Sequence, residues 1–193
     1  MTEKVKSVFD ELSGIDVNEH KEEKNGLSYL SWSWAWAELQ KRYTDASYTI
    51  EKFGELRKPY LYDENTGYMV CTPVTIGGQT REMWLPVMDG ANKAMKNVAY
   101  QYTVMAWDNA QHKKVPIKRT VHPATMFDIN KAIMRCLGKN IGMFGLGLYI
   151  YSGEDLPEQI QEEAPKIIEK QKNDGAAVEK NQPAANQNTV SIK

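Results

Sequence analysis

Cysteine is scarce in this chain: Cys71 and Cys136 are the only two among 193 residues. Two thiols cannot staple a small disulfide scaffold. Both lie in apolar surroundings, as core thiols do in a reducing compartment. Long hydrophobic runs are lacking too. The longest, 141–151, is broken by glycines and is far shorter than the ~20 residues a membrane-spanning helix needs. The opening MTEKVKSVFDEL is charged and has no continuous apolar core of the secretory type. These absences predict a cytosolic protein, located in the cytoplasm.

Enzyme signatures are missing as well. No GxxxxGK[ST] phosphate loop occurs, so nothing supports ATP use. Gly138-Lys139-Asn140 has neither the leading glycine at the right spacing nor the hydroxyl. Gly145-Leu146-Gly147 is a GxG fragment, read as a helix end that needs positive φ. His20, His112 and His122 show no metal-ligand spacing with either cysteine. Asp89, Asp108 and Asp128 are scattered, with no pair assignable to one site. The expectation is therefore no catalytic residue, no cofactor and no metal. A metal-dependent nuclease stays open as an alternative, because carboxylates distant in sequence can converge.

What is present is a charge gradient hidden by a formal net charge of −1. Residues 1–23 carry three Lys against seven acids, whereas 91–139 carry nine Lys or Arg against Asp108 and Asp128. A polyanion feels the local patch, since fields act over about 10 Å at physiological salt. Near-neutrality thus does not exclude nucleic acid.

Three zones follow from composition. Residues 1–26 read as an acidic arm with one short amphipathic stretch (Val5, Val8, Phe9, Leu12). Residues 27–156 are rich in aromatics, Met and β-branched side chains and form the folded domain. From 157 to 193 the chain turns to Glu, Gln, Lys, Asn, Ala and Pro, too little apolar area to offset ordering entropy, and reads as a disordered tail. Within the domain, Ser31 is placed to cap a helix running to about Tyr43. Strands are predicted at 47–53, 59–63, 68–76 and 79–88, divided by turn signals at 65–67 and 77–78, with Pro73 at an edge or bulge. Residues 91–97 suggest a helical turn and 103–107 a short strand. The last element is a strong helix opened by Thr125 and Asp128 at capping-box spacing, with Asp in place of Glu or Gln. The fold class is α+β: an antiparallel β-meander sheet packed by an N-terminal helix and a long C-terminal helix.

On that last helix, Met126, Ile129, Ile133, Leu137, Ile141 and Phe144 recur at three- and four-residue steps and define an apolar face. Lys131, Arg135 and Lys139 recur at four-residue steps and align as a basic ridge about 12 Å long. Upstream, HKKVPIKR adds Lys113, Lys114, Lys118 and Arg119 without an acid. Basic residues in such density suit a phosphate backbone, although a lone stripe is more often a solvated face. Aromatics supply the second ingredient of single-strand binding, because bases stack on rings whatever their sequence. Trp32 and Trp36 are placed to face the core together, with Trp34 off that line. Tyr60, Tyr62 and Tyr68 flank a turn and are expected to be exposed. Lys52, Arg57, Lys58 and Arg81 are candidates for the opposite wall of a groove.

Two segments, LSYLSWSWAWAEL (27–39) and HPATMFDINKAIMRCLGKNIGMFGLGLYIYSGEDLP (122–157), closely resemble the Sak-type single-strand annealing proteins of phages. Those are similar in fold to the eukaryotic recombination mediator that anneals resected DNA ends. The resemblance covers about 27–157. It implies a β-β-β-α core, assembly into a ring or helical homo-oligomer, and single-stranded DNA held between the sheet and the last helix. Phe144-Gly145 matches a Phe-Gly of the relative, and Lys139 falls on one of its basic positions. Gly138 and Gly142 stand where the relative has basic residues, and Lys131 and Arg135 lie earlier on the same face. The candidate DNA-binding set is Lys131, Arg135, Lys139, Lys113, Lys114, Lys118 and Arg119, with Arg81 and Lys52 on the strands, and of these the resemblance itself carries over Lys139. The mechanism implied is annealing without catalysis, in DNA recombination and repair. The tail is a candidate contact for a recombinase or a single-strand-binding protein. The alternatives are a protein that coats single strands without annealing them, the nuclease, and a protein-interaction module whose ridge is merely wet.

Overall fold

The computed structural model describes residues 6–24 and 27–152. The expected tail at 157–193, and Val5 of the first amphipathic stretch, lie outside these described residues.

Helix α1 (Val8–Ser13) opens with a capping box. The Ser7 hydroxyl accepts from the Asp10 amide at 3.1 Å, and the Asp10 carboxylate accepts from the Ser7 amide at 3.3 Å. Its Leu12 is fully buried, as is Val17 just beyond it, in one cluster with Leu30, Leu39, Leu137 and Ile141. The N-terminal segment thus shares a core with the rest of the domain. Strands β1 (Lys21–Lys24) and β2 (Leu27–Leu30) pair antiparallel, so the expected arm boundary at 26 falls between two paired strands.

Helix α2 (Trp32–Arg42) follows. Ser31 occupies the N-cap position, but its hydroxyl pairs with that of Ser33 at 3.1 Å and makes no cap hydrogen bond. Ala35 and Leu39, spaced four apart, form the buried line. The expected Trp32–Trp36 core face is corrected accordingly: Trp32 is 42% exposed. Trp34 stacks on His20 with ring centroids 4.1 Å apart, and Trp36 meets Tyr48 edge-on at 5.0 Å.

The expected strands are subdivided. Residues 47–53 yield β3 (Ser47–Tyr48), and 59–63 yield β4 (Leu61–Asp63). Residues 68–76 split into β5 (Gly67–Cys71) and β6 (Val74–Ile76) at Thr72-Pro73, and 79–88 split into β7 (Gln79–Arg81) and β8 (Trp84–Pro86). Proline cannot donate to a ladder, so the strand breaks where Pro73 stands. All pairings are antiparallel, in one sheet ordered β3-β6-β7 and another ordered β4-β5-β8. Backbone bonds continue through the break: the Thr72 amide donates to Met83 at 3.1 Å, and Thr49 and Glu51 donate to Pro73 and Cys71 at 3.0 Å.

Residues 91–97 form no helix. Asp89 accepts from the amides of Ala91 (2.8 Å) and Lys93 (2.9 Å) and closes a turn, while Met88 bridges Ala94. The short strand expected at 103–107 is instead part of a nine-by-nine-residue hairpin, β9 (Tyr100–Asp108) and β10 (Lys113–Val121). At ~3.4 Å per residue it is about 30 Å long. Among the described residues, its sheet contains these two strands alone.

Helix α3 (Met126–Met143) has the expected cap. The Thr125 hydroxyl and amide donate to the Asp128 carboxylate at 2.7 and 3.0 Å. The helix joins two cores. Ile129, Ile133 and Cys136 pack with Val70, Leu85, Val87 and Val121, while Leu137, Ile141 and the following Phe144 pack with α1 and α2. Met126, expected on the apolar face, is 63% exposed. Among the described residues no helix is long and apolar enough to cross a membrane.

Candidate nucleic-acid interface

The site is built on α3. The four-residue spacing sets Lys131, Arg135 and Lys139 along one side of the helix, away from the buried Ile129, Ile133 and Leu137. Each cation lies over an aromatic ring: Lys131 Nζ 5.9 Å from the Phe127 centroid, the Arg135 guanidinium 4.6 Å from Tyr29, and Lys139 Nζ 5.5 Å from Tyr151. The row is thus a ladder of rings and cations. Phe127 extends the same four-residue series by one step towards the N-terminus. That spacing was the sequence signal for it, obscured because the aromatic was sought in the Trp array.

Two glycines face the aromatics. A Cβ on Gly142 would stand 2.9 Å from Cε2 of Tyr151, and one on Gly138 would meet the Leu30 carbonyl at 3.5 Å and Trp32 Cβ at 3.9 Å. A side chain at Gly142 would displace Tyr151, whereas a Cβ at Gly138 would meet its neighbours at ordinary contact distance. Gly142 therefore lets the Tyr151 ring pack directly against α3. Gly145 serves a different contact. It has φ +115°, and its missing Cβ lets the Phe9 carbonyl and the Ser13 amide approach to 2.7 and 2.9 Å of that point.

Lys131 and Arg135 form the wall between two concavities. One, of about 490 Å³, is lined by Tyr29, Trp32, Phe127, Met134 and Tyr151. The other, of about 140 Å³, is closed by Leu85, Pro86 and Met88. Asp128, the acid at this wall, is engaged. Burial alone would raise its carboxyl, but hydrogen bonds from Thr125 and Lys131 outweigh that and hold it below the ordinary carboxylate value. Lys131 Nζ lies 3.4 Å from it.

The other candidates lie elsewhere. Strand alternation puts Lys114 and Lys118 on one face of the hairpin with Met105 and Trp107, and Lys113 and Arg119 on the other with Val104 and Ile117. They do not prolong the α3 row as one stripe. The Arg81 guanidinium donates to the Met143 carbonyl at the end of α3 and lies 4.7 Å from the Phe144 ring, a helix-terminating contact. Lys52 is exposed in a separate concavity with Tyr48, Thr49 and Arg57. Tyr60, Tyr62 and Tyr68, expected exposed, are half-buried against one another, with Tyr62 and Tyr68 centroids 4.5 Å apart and Tyr60 and Tyr68 5.2 Å apart. Among the described residues, no three His, Cys, Asp or Glu side chains are grouped so as to hold a metal ion.

An α+β domain with a basic, ring-lined helix face is the kind of scaffold that holds a single strand. The family model for Sak Single Strand Annealing Protein matches residues 6–187, and the chain belongs to that family. No curated protein and no solved structure matches it significantly.

Proposed function

We propose that this protein binds single-stranded DNA along α3 and promotes ATP-independent annealing of complementary strands in phage homologous recombination, within the host cytoplasm. The observation that carries the reading is the row of Lys131, Arg135 and Lys139, each over a ring, on a helix that lies within the family match. Phosphates along the row release counterions, so affinity falls as salt rises. No covalent step is needed: the protein holds strands while complementary bases find their register. Lys113, Lys114, Lys118 and Arg119 offer further basic groups on the two faces of the hairpin, apart from the α3 row, while Arg81 is engaged at the end of α3 and Lys52 lies in a separate concavity.

Self-association belongs to the same reading. An isolated two-stranded ribbon is marginally stable at best in water. The outer part of β9–β10 leaves Val104, Ala106, Val115 and Ile117 half-exposed on one face and Met105 and Trp107 about 58–59% exposed on the other. A neighbouring copy covering one face gives a homo-oligomeric ring or filament, which multiplies a weak site per subunit by effective concentration.

The test is annealing of two complementary dye-labelled oligonucleotides by the purified full chain, without ATP or metal, across a salt series. Acceleration that fades with salt is expected. Binding without acceleration would identify a strand-coating protein instead, and metal-dependent loss of substrate a nuclease. No binding at low salt would overturn the proposal.

A further inference from the structure

We propose that the cleft between β2, α2 and α3 is a nucleobase-stacking site, in which Trp32 and Phe127 hold an unstacked base of the bound strand while Lys131 and Arg135 hold its phosphate. This rests on the single-stranded DNA reading above and adds contact with the base to contact with the backbone.

Trp32 is 42% and Phe127 74% exposed, yet both line one cleft of about 490 Å³. Large rings left in water together mark a binding surface more often than an accident of folding. The volume lies within the roughly 300–1,000 Å³ usual for small-molecule sites. Phe127 sits one helical turn before Lys131, about 6 Å along the axis. Ring and ammonium are therefore presented together, as a base and its own phosphate require. Ser31 and Asn130 also line the cleft and offer polar atoms to a base edge.

Charge selects this occupant over a protein. Lys131 and Arg135 stand on the wall, and Glu22 is the one acid among the lining residues. The cores of protein–protein interfaces are depleted in Lys. A pocket that combines stacked rings with cations is what sequence-tolerant single-strand binders use, because every base has a π-face.

The experiment compares binding of oligo(dT) and of an abasic oligonucleotide of equal length and charge at fixed salt, by fluorescence anisotropy, with the full chain. Wild type should bind oligo(dT) more tightly. Phe127→Ala and Trp32→Ala should each lose roughly 5- to 150-fold towards oligo(dT), the range for one stacked base, with little change towards the abasic strand. Lys131→Ala with Arg135→Ala should weaken both. Trp32→Phe, which preserves the packing, should retain most affinity while losing the quenching of tryptophan emission that oligo(dT) causes in wild type. Equal wild-type affinity for the two strands, or ring variants with unchanged oligo(dT) binding, overturns the stacking site but leaves DNA binding standing. Failure of wild type to bind either strand overturns the DNA reading itself. A smaller sedimenting species in the ring variants, with DNA affinity per subunit unchanged, would show that the cleft seats a second copy.

Discussion

The side-chain amide of Asn140 donates to the backbone carbonyl of Arg81 at 2.8 Å and also to that of Thr72. It thereby ties the last turn of α3 to both strands at the sheet break beside Pro73. Two carbonyls that lose ladder partners at the break are satisfied by one fully buried side chain.

Asn140→Ala should therefore destabilise the domain by about 1–3 kcal/mol, the cost of leaving buried polar groups without a partner. The measurement is the midpoint of urea unfolding at constant m-value. A variant within a few tenths of a kcal/mol of wild type would mean that the break satisfies its carbonyls in another way.

The basic row makes a quantitative salt prediction. Lys131→Ala, Arg135→Ala and Lys139→Ala combined should flatten the slope of log affinity against log salt by up to about 2, at ~0.7 per phosphate for single strands. A slope equal to wild type in a folded triple variant would move the phosphate path off α3.

Charge placed on the apolar face of the hairpin should dissolve the proposed assembly without unfolding the subunit. Val104→Glu with Ile117→Glu introduces two carboxylates at directly paired positions, on the outer part of a face whose inner part joins the core through Tyr100, Tyr102 and Val121. Sedimentation velocity should shift to a smaller species while the thermal midpoint stays within a few degrees. An unchanged sedimentation coefficient would place the subunit contact elsewhere.

The thiols give a pH prediction. Burial, the largest cause, pushes the Cys71 thiol up to about 11, and burial also raises that of Cys136. Neither should react with iodoacetamide at pH 8 until the chain unfolds. The unfolded chain loses these protons first, from about pH 9. The contribution of Cys71 to stability is thus complete below that pH and lost as pH rises through about 11, and that of Cys136 is lost in the same direction. Labelling of the native protein at pH 8 would contradict the burial described.

Much of this arrangement was legible in the sequence, and the misses have physical reasons. The Thr125–Asp128 cap and the four-residue basic spacing on α3 are local and were readable as they stand. The hairpin was hidden because HKKVPIKR is charged and contains Pro116, both of which argue against a strand. A two-stranded ribbon has an open edge on each strand, where charge and proline are tolerated. The Trp array was misread because helical spacing specifies which side chains share a face but not which face meets the core. Ala35 and Leu39 took that place because small and aliphatic side chains fit against α1 and α3, leaving Trp32 at the cleft. Tyr29 and Tyr151 had no local signal, since they reach the site by tertiary packing, in the case of Tyr151 against Gly142.

The rings beside the basic row also bear on how readily a strand is held. Immobilising a free Arg or Lys side chain costs up to about 2 kcal/mol of rotamer entropy. The Arg135 guanidinium over Tyr29 and the Lys139 ammonium over Tyr151 are already confined before any ligand arrives. A strand docking there, on the reading proposed above, would reorder these side chains little, so less of each contact's energy is lost to ordering and a short stretch of strand suffices to be held.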